Sequence, residues 1–285
     1  MTNRKNLILL YLLIAFEIII LLNSNVVIKS VTSSSILFIL NIFPSMFPGM
    51  IIGNLLIKER IWLIIPNSIK KLFNKLFGFD DVLTSIFIIS MFCGTPSNAL
   101  YINEYLNDGK AQKMLQITHF INPLFVVAGV GIGVFKSAKI GFILLFIMWT
   151  ENFIKAFILR EKNIKVNKQI NIKENSFINN LIESVKMAVN ASLLIFGLVI
   201  CFNLLVTLIC NIFYIPDNIN AILNGILEMT GGIMKLKNVE IIMPLKIMLA
   251  YLFLNFGGLC IHMQTFSMIE NKKISYLKYL IFRLF

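Results

Sequence analysis

The stretch FCGTPSNAL (residues 92–100) decides how this chain folds, because it places turn-forming residues inside an uncharged run, residues 82–103. Gly94, Thr95 and Pro96 favour a turn, whereas the residues around them are apolar enough for hydrocarbon. Backbone that leaves the helix in lipid exposes unpaired N–H and C=O groups, which is costly unless protein or a water-filled cavity receives them. The stretch therefore predicts a re-entrant hairpin over residues 82–103 that faces a polar cavity.

The composition indicates a multi-pass membrane protein. Of the 285 residues, 58% are hydrophobic and 14% are charged, with a mean hydropathy of +0.83, whereas soluble domains carry about 25% charged residues. Uncharged runs long enough to span hydrocarbon cover residues 30–57, 82–103, 115–135, 187–216 and 247–269. The predicted fold class is all-α: a polytopic membrane protein built as an inverted repeat, with interrupted helices and two re-entrant hairpins.

The net charge of +12 lies in loop-sized basic clusters, as expected for cytoplasmic loops that face anionic lipid. These clusters predict a cell-membrane location with a cytoplasmic N-terminus and the lipid bilayer as a partner. Residues 1–29 are predicted to hold a transmembrane helix, residues 61–77 a surface helix, and residues 160–186 a basic cytoplasmic loop with an amphipathic segment. No cluster is interleaved with base-stacking aromatic residues, so nucleic acid is not an expected partner.

The same order of elements occurs twice. In the first repeat, residues 30–159, the hairpin 82–103 is followed by a span containing HFINPLF (residues 119–125). In the second repeat, residues 187–285, a predicted hairpin over residues 217–237 contains MTGG and is followed by a span containing LFLNFGG. Threading the basic clusters gives the two repeats opposite orientations. Interrupted helices at corresponding positions of inverted repeats are the best sequence indication of a transporter site.

Polar residues at these interruptions are the candidate solute-binding residues. Free N–H groups and hydroxyls would come from the turns, and amides from the interrupted spans. The candidates are Gly94, Thr95, Ser97, Asn98, Asn122, Glu228, Thr230, Gly231, Asn255 and Gln264. Glu228 is the candidate for a coupling proton or cation, with an ordinary loop-edge acid as the alternative. A plain connecting turn at residues 94–98 remains open as well.

Three other features carry weaker expectations. His119 is either a proton relay or a packing residue. Glu151 and Lys155 are spaced i, i+4, which predicts a self-contained ion pair. The sequence contains no HExxH motif, no Ser/His/Asp set, no CxxC pair and no intramembrane carboxylate cluster, so neither an enzyme, a bound metal nor a cofactor is expected.

Several motifs together resemble the sporulation integral membrane protein YlbJ family, within the wider group that carries the nucleoside-recognition Gate domain. They are FPSMFPGMIIGNLL, GTPSNA, NPLFVVAGVGIGVF, NGILEMTGGI and FGGLCIHMQTFSMI, between residues 36 and 282. The resemblance implies transport in sporulating Firmicutes, with dipicolinate moving through the outer forespore membrane. The family usually has a basic residue after its GxPxGA turn, whereas this chain has Asn98, Ala99 and Leu100, which weakens that substrate assignment. The chain is also short for the family, and a last helix starting near Tyr276 is expected to be cut off.

The predicted function is transport of a small polar or anionic solute. A nucleoside-type transporter and a non-transporting assembly or scaffold component of sporulation remain as alternatives. The sequence leaves the oligomeric state open.

Overall fold

A computed structural model describes residues 4–160, 176–270 and 272–284, and no strand occurs among these residues. The helices of the first half are α1 (Arg4–Leu22), α2 (Ser24–Leu37), α3 (Phe43–Lys58), α4 (Asn67–Phe77), α5 (Asp81–Cys93), α6 (Ser97–Tyr105), α7 (Asp108–Ile117) and α8 (Ala138–Ile158). Those of the second half are α9 (Phe177–Ile212), α10 (Asp217–Leu227), α11 (Met229–Lys235), α12 (Met243–Phe256), α13 (Gly258–Ser267) and α14 (Tyr276–Ile281).

Within the described ranges, four elements are long and apolar enough to cross a bilayer: Ser24–Lys58, Ala138–Ile158, Phe177–Ile212 and Met243–Ser267. A fifth span is obtained if the bent pair α4 and α5, which meet at 94°, is counted as one. Large hydrophobic side chains are exposed along these elements and along α1. Such an extensive apolar surface is stable only in contact with lipid. The predicted all-α, multi-pass membrane protein is therefore confirmed.

The first long span is irregular where its prolines lie. A π-helical segment, Phe38–Ile42, joins α2 to α3, and Pro44 follows it. Because proline has no N–H and crowds the preceding turn, a widened turn accommodates it. Between α1 and α2 only Asn23 interrupts the helix.

The predicted surface helix is helical over part of its length. A short 3-10 turn (Ile61–Leu63) precedes α4, which buries Phe73 and Phe77 and exposes Lys71 and Lys75. Its position on the membrane surface stays a prediction. Most of the predicted basic loop falls on residues 161–175, outside the described residues.

Both predicted hairpins consist of two short helices with a break between them. Residues 94–96 separate α5 from α6, and Glu228 alone separates α10 from α11. The order of helix, break and helix thus occurs in both halves, whereas the inverted relation between the halves stays a prediction.

The spans that follow the hairpins are broken too. The expectation of one helical span over residues 115–135 is wrong, because α7 ends at Ile117 and residues 118–122 are non-helical. The helix resumes at Pro123 and continues as the π-helical segment Phe125–Ile132. Proline is tolerated at the first position of a helix, where its N–H is not needed. In the second half, Gly257 separates α12 from α13.

Candidate functional site

The break between α5 and α6 lies directly against the break after α7. The Thr95 N–H donates to the Phe120 carbonyl at 2.6 Å. The Asn98 amide donates to the Thr118 carbonyl at 2.9 Å and to its hydroxyl at 2.8 Å. We call residues 94–96 and 118–122 the first break pair, because each supplies partners for the backbone groups that the other leaves free.

Asn122 joins the helix ends of the first break pair. Its Oδ1 accepts the Leu124 N–H at 2.9 Å, which caps the helix that begins at Pro123. Its Nδ2 donates at 3.2 Å to the carbonyl of Phe92, in the last turn of α5. Gly94 allows this approach: its φ is +78°, and a Cβ at this position would lie 2.6 Å from the Asn122 nitrogen.

The second half contains a similar crossing, with a carboxylate in place of amides. The two carboxylate oxygens of Glu228 accept the N–H groups of Thr230 at 3.0 Å and Gly231 at 2.6 Å, so Glu228 caps α11. A Cβ on Gly258 would lie 2.9 Å from the Met229 nitrogen, which shows how closely the α12–α13 break approaches. We call residues 227–229 and 257–258 the second break pair.

His119 brings the two break pairs into contact. Its Nε2 lies 3.2 Å from the carbonyl of Leu254 in α12, and its Cε1 lies 2.8 Å from the position of a Cβ on Gly257. Asn152 of α8 donates to the His119 carbonyl at 3.0 Å. His119 is buried and connects the halves, and its role as a proton relay or as a packing residue stays a prediction.

One small cavity lies where the break pairs meet. It is lined by Ile42, Met46, Thr95, Pro96, Ile121, Asn122, Phe125, Ile195, Val199, Glu228, Met229, Thr230, Ile261 and Gln264. Its lining includes one carboxylate and no lysine or arginine. The volume of the cavity is about 30 Å³, which suffices for a water molecule or two but is far below the roughly 300 Å³ of small-molecule sites.

Half of the candidate solute-binding residues line this cavity: Thr95, Asn122, Glu228, Thr230 and Gln264. The others are buried next to it and are not part of its lining: Gly94, Ser97, Asn98, Gly231 and Asn255. Gly94 and Asn98 hold the first break pair together. The structure thus gathers both halves around one site, and the solute-binding role of each residue stays a prediction.

Comparison with known proteins finds one curated protein that is similar to this chain. No family model matches the chain, and no solved structure matches it. A curated protein aligns over 287 residues at 20% identity, covering 85% of this chain and 70% of its own length. The chain resembles the sporulation integral membrane protein YlbJ of Bacillus subtilis (strain 168). The family resemblance inferred from the motifs is confirmed at this modest identity, and so is the coarser statement that the chain is an integral membrane protein.

Sequence reasoning missed two polar residues of the site, Asn203 on α9 and Asn224 on α10. Both are buried, at 7% and 1% exposure, and their side-chain oxygens lie beside Gly231. For Asn203 the available signal was an amide inside the uncharged run 187–216, since polar groups within a membrane tend to face protein rather than lipid. For Asn224 it was the position within the predicted hairpin 217–237.

The Glu151–Lys155 ion pair forms as expected, but it is not self-contained. The Tyr251 hydroxyl of α12 donates to Glu151 at 2.7 Å, and Lys155 donates to the carbonyl of Phe282 at 2.6 Å. This network connects α8 to α12 and to the C-terminal segment, away from the cavity lining.

Proposed function

We propose that the chain is a membrane transporter of a small polar solute, working in a sporulation membrane as the name of its relative suggests. The observation that carries the proposal is the meeting of the two break pairs, one from each half, around one small cavity. Broken helices are costly in a bilayer unless the freed backbone groups find partners or water. Transporters use such broken helices to bind solutes near the bilayer midplane, between two repeats.

The closed state of the cavity fits alternating access. A solute the size of a nucleoside or of dipicolinate requires about tenfold more space than 30 Å³. The break pairs would therefore have to separate for the solute to enter. Rocking of one repeat against the other would open the site to each side in turn.

The charge of the lining discriminates between the proposed solutes. Glu228 is its single charged side chain, so a dianion such as dipicolinate would face a buried carboxylate without a counter-charge. In a low-dielectric site this repulsion is costly. Thr95, Asn122, Thr230 and Gln264 instead offer hydroxyls and amides, which suit a neutral, hydrogen-bonding solute of the nucleoside type. Dipicolinate remains compatible with the site if a cation enters with it.

Flux into proteoliposomes tests the proposal. Purified protein is reconstituted and uptake of labelled nucleosides and of dipicolinate is measured in parallel. We expect saturable uptake of at least one solute, with Gln264→Ala and Thr230→Val lowering the rate. Tyr251→Phe, which changes the network around Glu151 and leaves the lining intact, serves as the matched control and should keep the wild-type rate.

Absence of uptake across a broad panel of small acids and nucleosides, from protein that is folded and inserted, would favour the scaffold alternative. Expression in a Bacillus subtilis strain that lacks YlbJ tests the sporulation part separately. Rescue of heat-resistant spores by the wild-type chain, but not by Gln264→Ala, would connect the site with that process.

A further inference from the structure

A cleft away from the break pairs lies between α7 and the C-terminal segment. Its volume is about 430 Å³, which is in the range of sites that bind small molecules. Its two walls are joined by hydrogen bonds: Gln116 Nε2 donates to the Lys278 carbonyl at 3.2 Å, and the Ser275 N–H donates to Gln112 Oε1 at 2.6 Å. We call it the basic cleft, because three lysines line it.

The lining of the basic cleft carries an excess of positive charge. Lys113, Lys273 and Lys278 line it together with one carboxylate, Asp108, which leaves two positive charges uncompensated. Lys273 and Lys278 are exposed, and among the described residues neither forms an ion pair. Lys113 is buried, with its Nζ 5.7 Å from the centre of the Phe79 ring. The cleft is therefore complementary to an anion.

A further positive charge lies behind one wall. Arg283 is 1% exposed, and its Nη2 donates to the carbonyl of the lining residue Gln116 at 2.5 Å. Its guanidinium group lies 5.2 Å from the centre of the Tyr279 ring, and no carboxylate of the described residues forms an ion pair with it. Such a buried charge acts with little screening, so it adds to the positive potential of the cleft.

The basic cleft lies at the end of a membrane span. The helix α8 has 21 residues, so it is about 31 Å long, which matches the roughly 30 Å of the hydrocarbon core. Leu159, directly after α8, lines the cleft and thus falls at the level of the lipid headgroups. Apolar side chains next to the lining residues in sequence are exposed: Ile158 and Leu277 at 67% and 66%.

We propose that the basic cleft binds the headgroup of an anionic phospholipid. The phosphate lies against Lys273 and Lys278, because ammonium groups bind phosphate as point charges, and the acyl chains lie along the exposed apolar side chains of α8 and α14. Basic pockets between membrane helices bind anionic headgroups in this way. The bound lipid would fix the C-terminal segment against α7 and α8, independently of whether the chain transports a solute.

Thermal unfolding of the purified full-length protein in a neutral detergent tests the proposal. Phosphatidylglycerol, phosphatidylcholine and glycerol 3-phosphate are titrated at the same ionic strength. We expect a saturable upward shift of a few degrees with phosphatidylglycerol alone, because a ligand that binds the folded state stabilises it. No shift, or an equal shift with phosphatidylcholine, overturns the proposal. An equal shift with glycerol 3-phosphate overturns the lipid as the occupant and assigns the cleft to a soluble phosphate.

A double variant with a matched control locates the lipid. Lys273→Gln combined with Lys278→Gln should raise the half-saturating concentration of phosphatidylglycerol by roughly tenfold or more. Lys136→Gln combined with Lys139→Gln removes the same charge from two exposed lysines at the opposite end of α8 and should leave that concentration unchanged. Equal weakening in both double variants would mean attraction by net charge alone, and unchanged binding in the first would rule out the cleft.

A change of the opposite sign provides a second test. Asp108→Asn removes the carboxylate from the lining, so phosphatidylglycerol should bind several-fold more tightly. Asp217→Asn is the matched control, because Asp217 is the first residue of α10 as Asp108 is of α7, and binding should not change there. Weaker or unchanged binding by folded Asp108→Asn protein would contradict a phosphate in the basic cleft.

Discussion

Both break pairs supply hydrogen-bond partners for the free backbone groups of broken helices, but they use different side chains. In the first, neutral amides of Asn98 and Asn122 satisfy the free groups of the broken helices. In the second, the Glu228 carboxylate receives two N–H groups at the start of α11. Asparagine caps a helix about as well as an acid does, so capping does not explain a buried charge in the second pair. A binding role for this carboxylate is part of the proposed function, since an intramembrane charge is otherwise a cost.

The largest expected effect on stability comes from adding a methyl group where two backbone segments lie in close contact. Gly94→Ala puts a Cβ 2.6 Å from the Asn122 nitrogen at φ +78°, and Gly258→Ala puts one 2.9 Å from the Met229 nitrogen at φ +71°. Each should lower the free energy of unfolding by about 3 kcal/mol or more, with Gly94 the more severe. Size-exclusion profiles and thermal unfolding measure this, and Gly197→Ala is the control. Normal folding of both variants would mean that the break pairs are not held in contact.

The two break pairs are compared most directly by replacing the amide with a carboxylate in the first and the carboxylate with an amide in the second. Asn122→Asp keeps the acceptor for Leu124 but replaces the donor to the Phe92 carbonyl with a negative oxygen, so we expect a loss of about 3 kcal/mol. Glu228→Gln keeps one acceptor for the N–H groups of α11 and should lower the free energy of unfolding by about 1 kcal/mol. We expect solute uptake by this variant to fall roughly tenfold, which corresponds to about 1.4 kcal/mol of binding free energy. Unfolding and uptake are measured on both variants. Equal effects of the two changes on both measurements would remove the distinction between the pairs.

The two asparagines beside the breaks should differ in a smaller but measurable way. Asn98→Ala removes two hydrogen bonds that connect α6 to Thr118 and should cost about 2 kcal/mol of stability. Among the described residues, the amide of Asn224 donates to Asn220 of its own helix, so Asn224→Ala should cost about 0.5–1 kcal/mol. Chemical denaturation of both variants checks the order, and a reversed order would contradict it.

The smallest effects are expected at the two threonines that line the cavity. The Thr95 hydroxyl makes a long hydrogen bond, 3.3 Å, to the Thr118 carbonyl, so Thr95→Val and Thr230→Val should each change stability by less than about 1 kcal/mol. If their hydroxyls contact the solute, KM for uptake rises several-fold in each variant while membrane insertion is unchanged. An unchanged KM in one variant only would show which half contacts the solute.

Much of the fold was predictable because its causes are local. Uncharged runs indicate membrane helices, and Gly94, Pro96 and Pro123 indicate where the helices break. The same local rules failed at residues 118–122, where the predicted span is interrupted by non-helical chain. In that segment the Thr95 and Asn98 donors replace helical hydrogen bonds, and nothing in the local pattern specifies such distant partners.

The sequence by itself determined that the chain is an all-α membrane protein and that its backbone leaves the helix at polar residues in both halves. Only the tertiary structure decided which breaks meet, that His119 contacts Leu254 across the halves, and that the side chains of Asn203, Asn224 and Glu228 pack against Gly231. The physical reason is the range of the interactions. Hydrophobicity and turn propensity act between neighbours along the chain, whereas the site consists of hydrogen bonds and close contacts between residues far apart in sequence, which form only once the helices have packed.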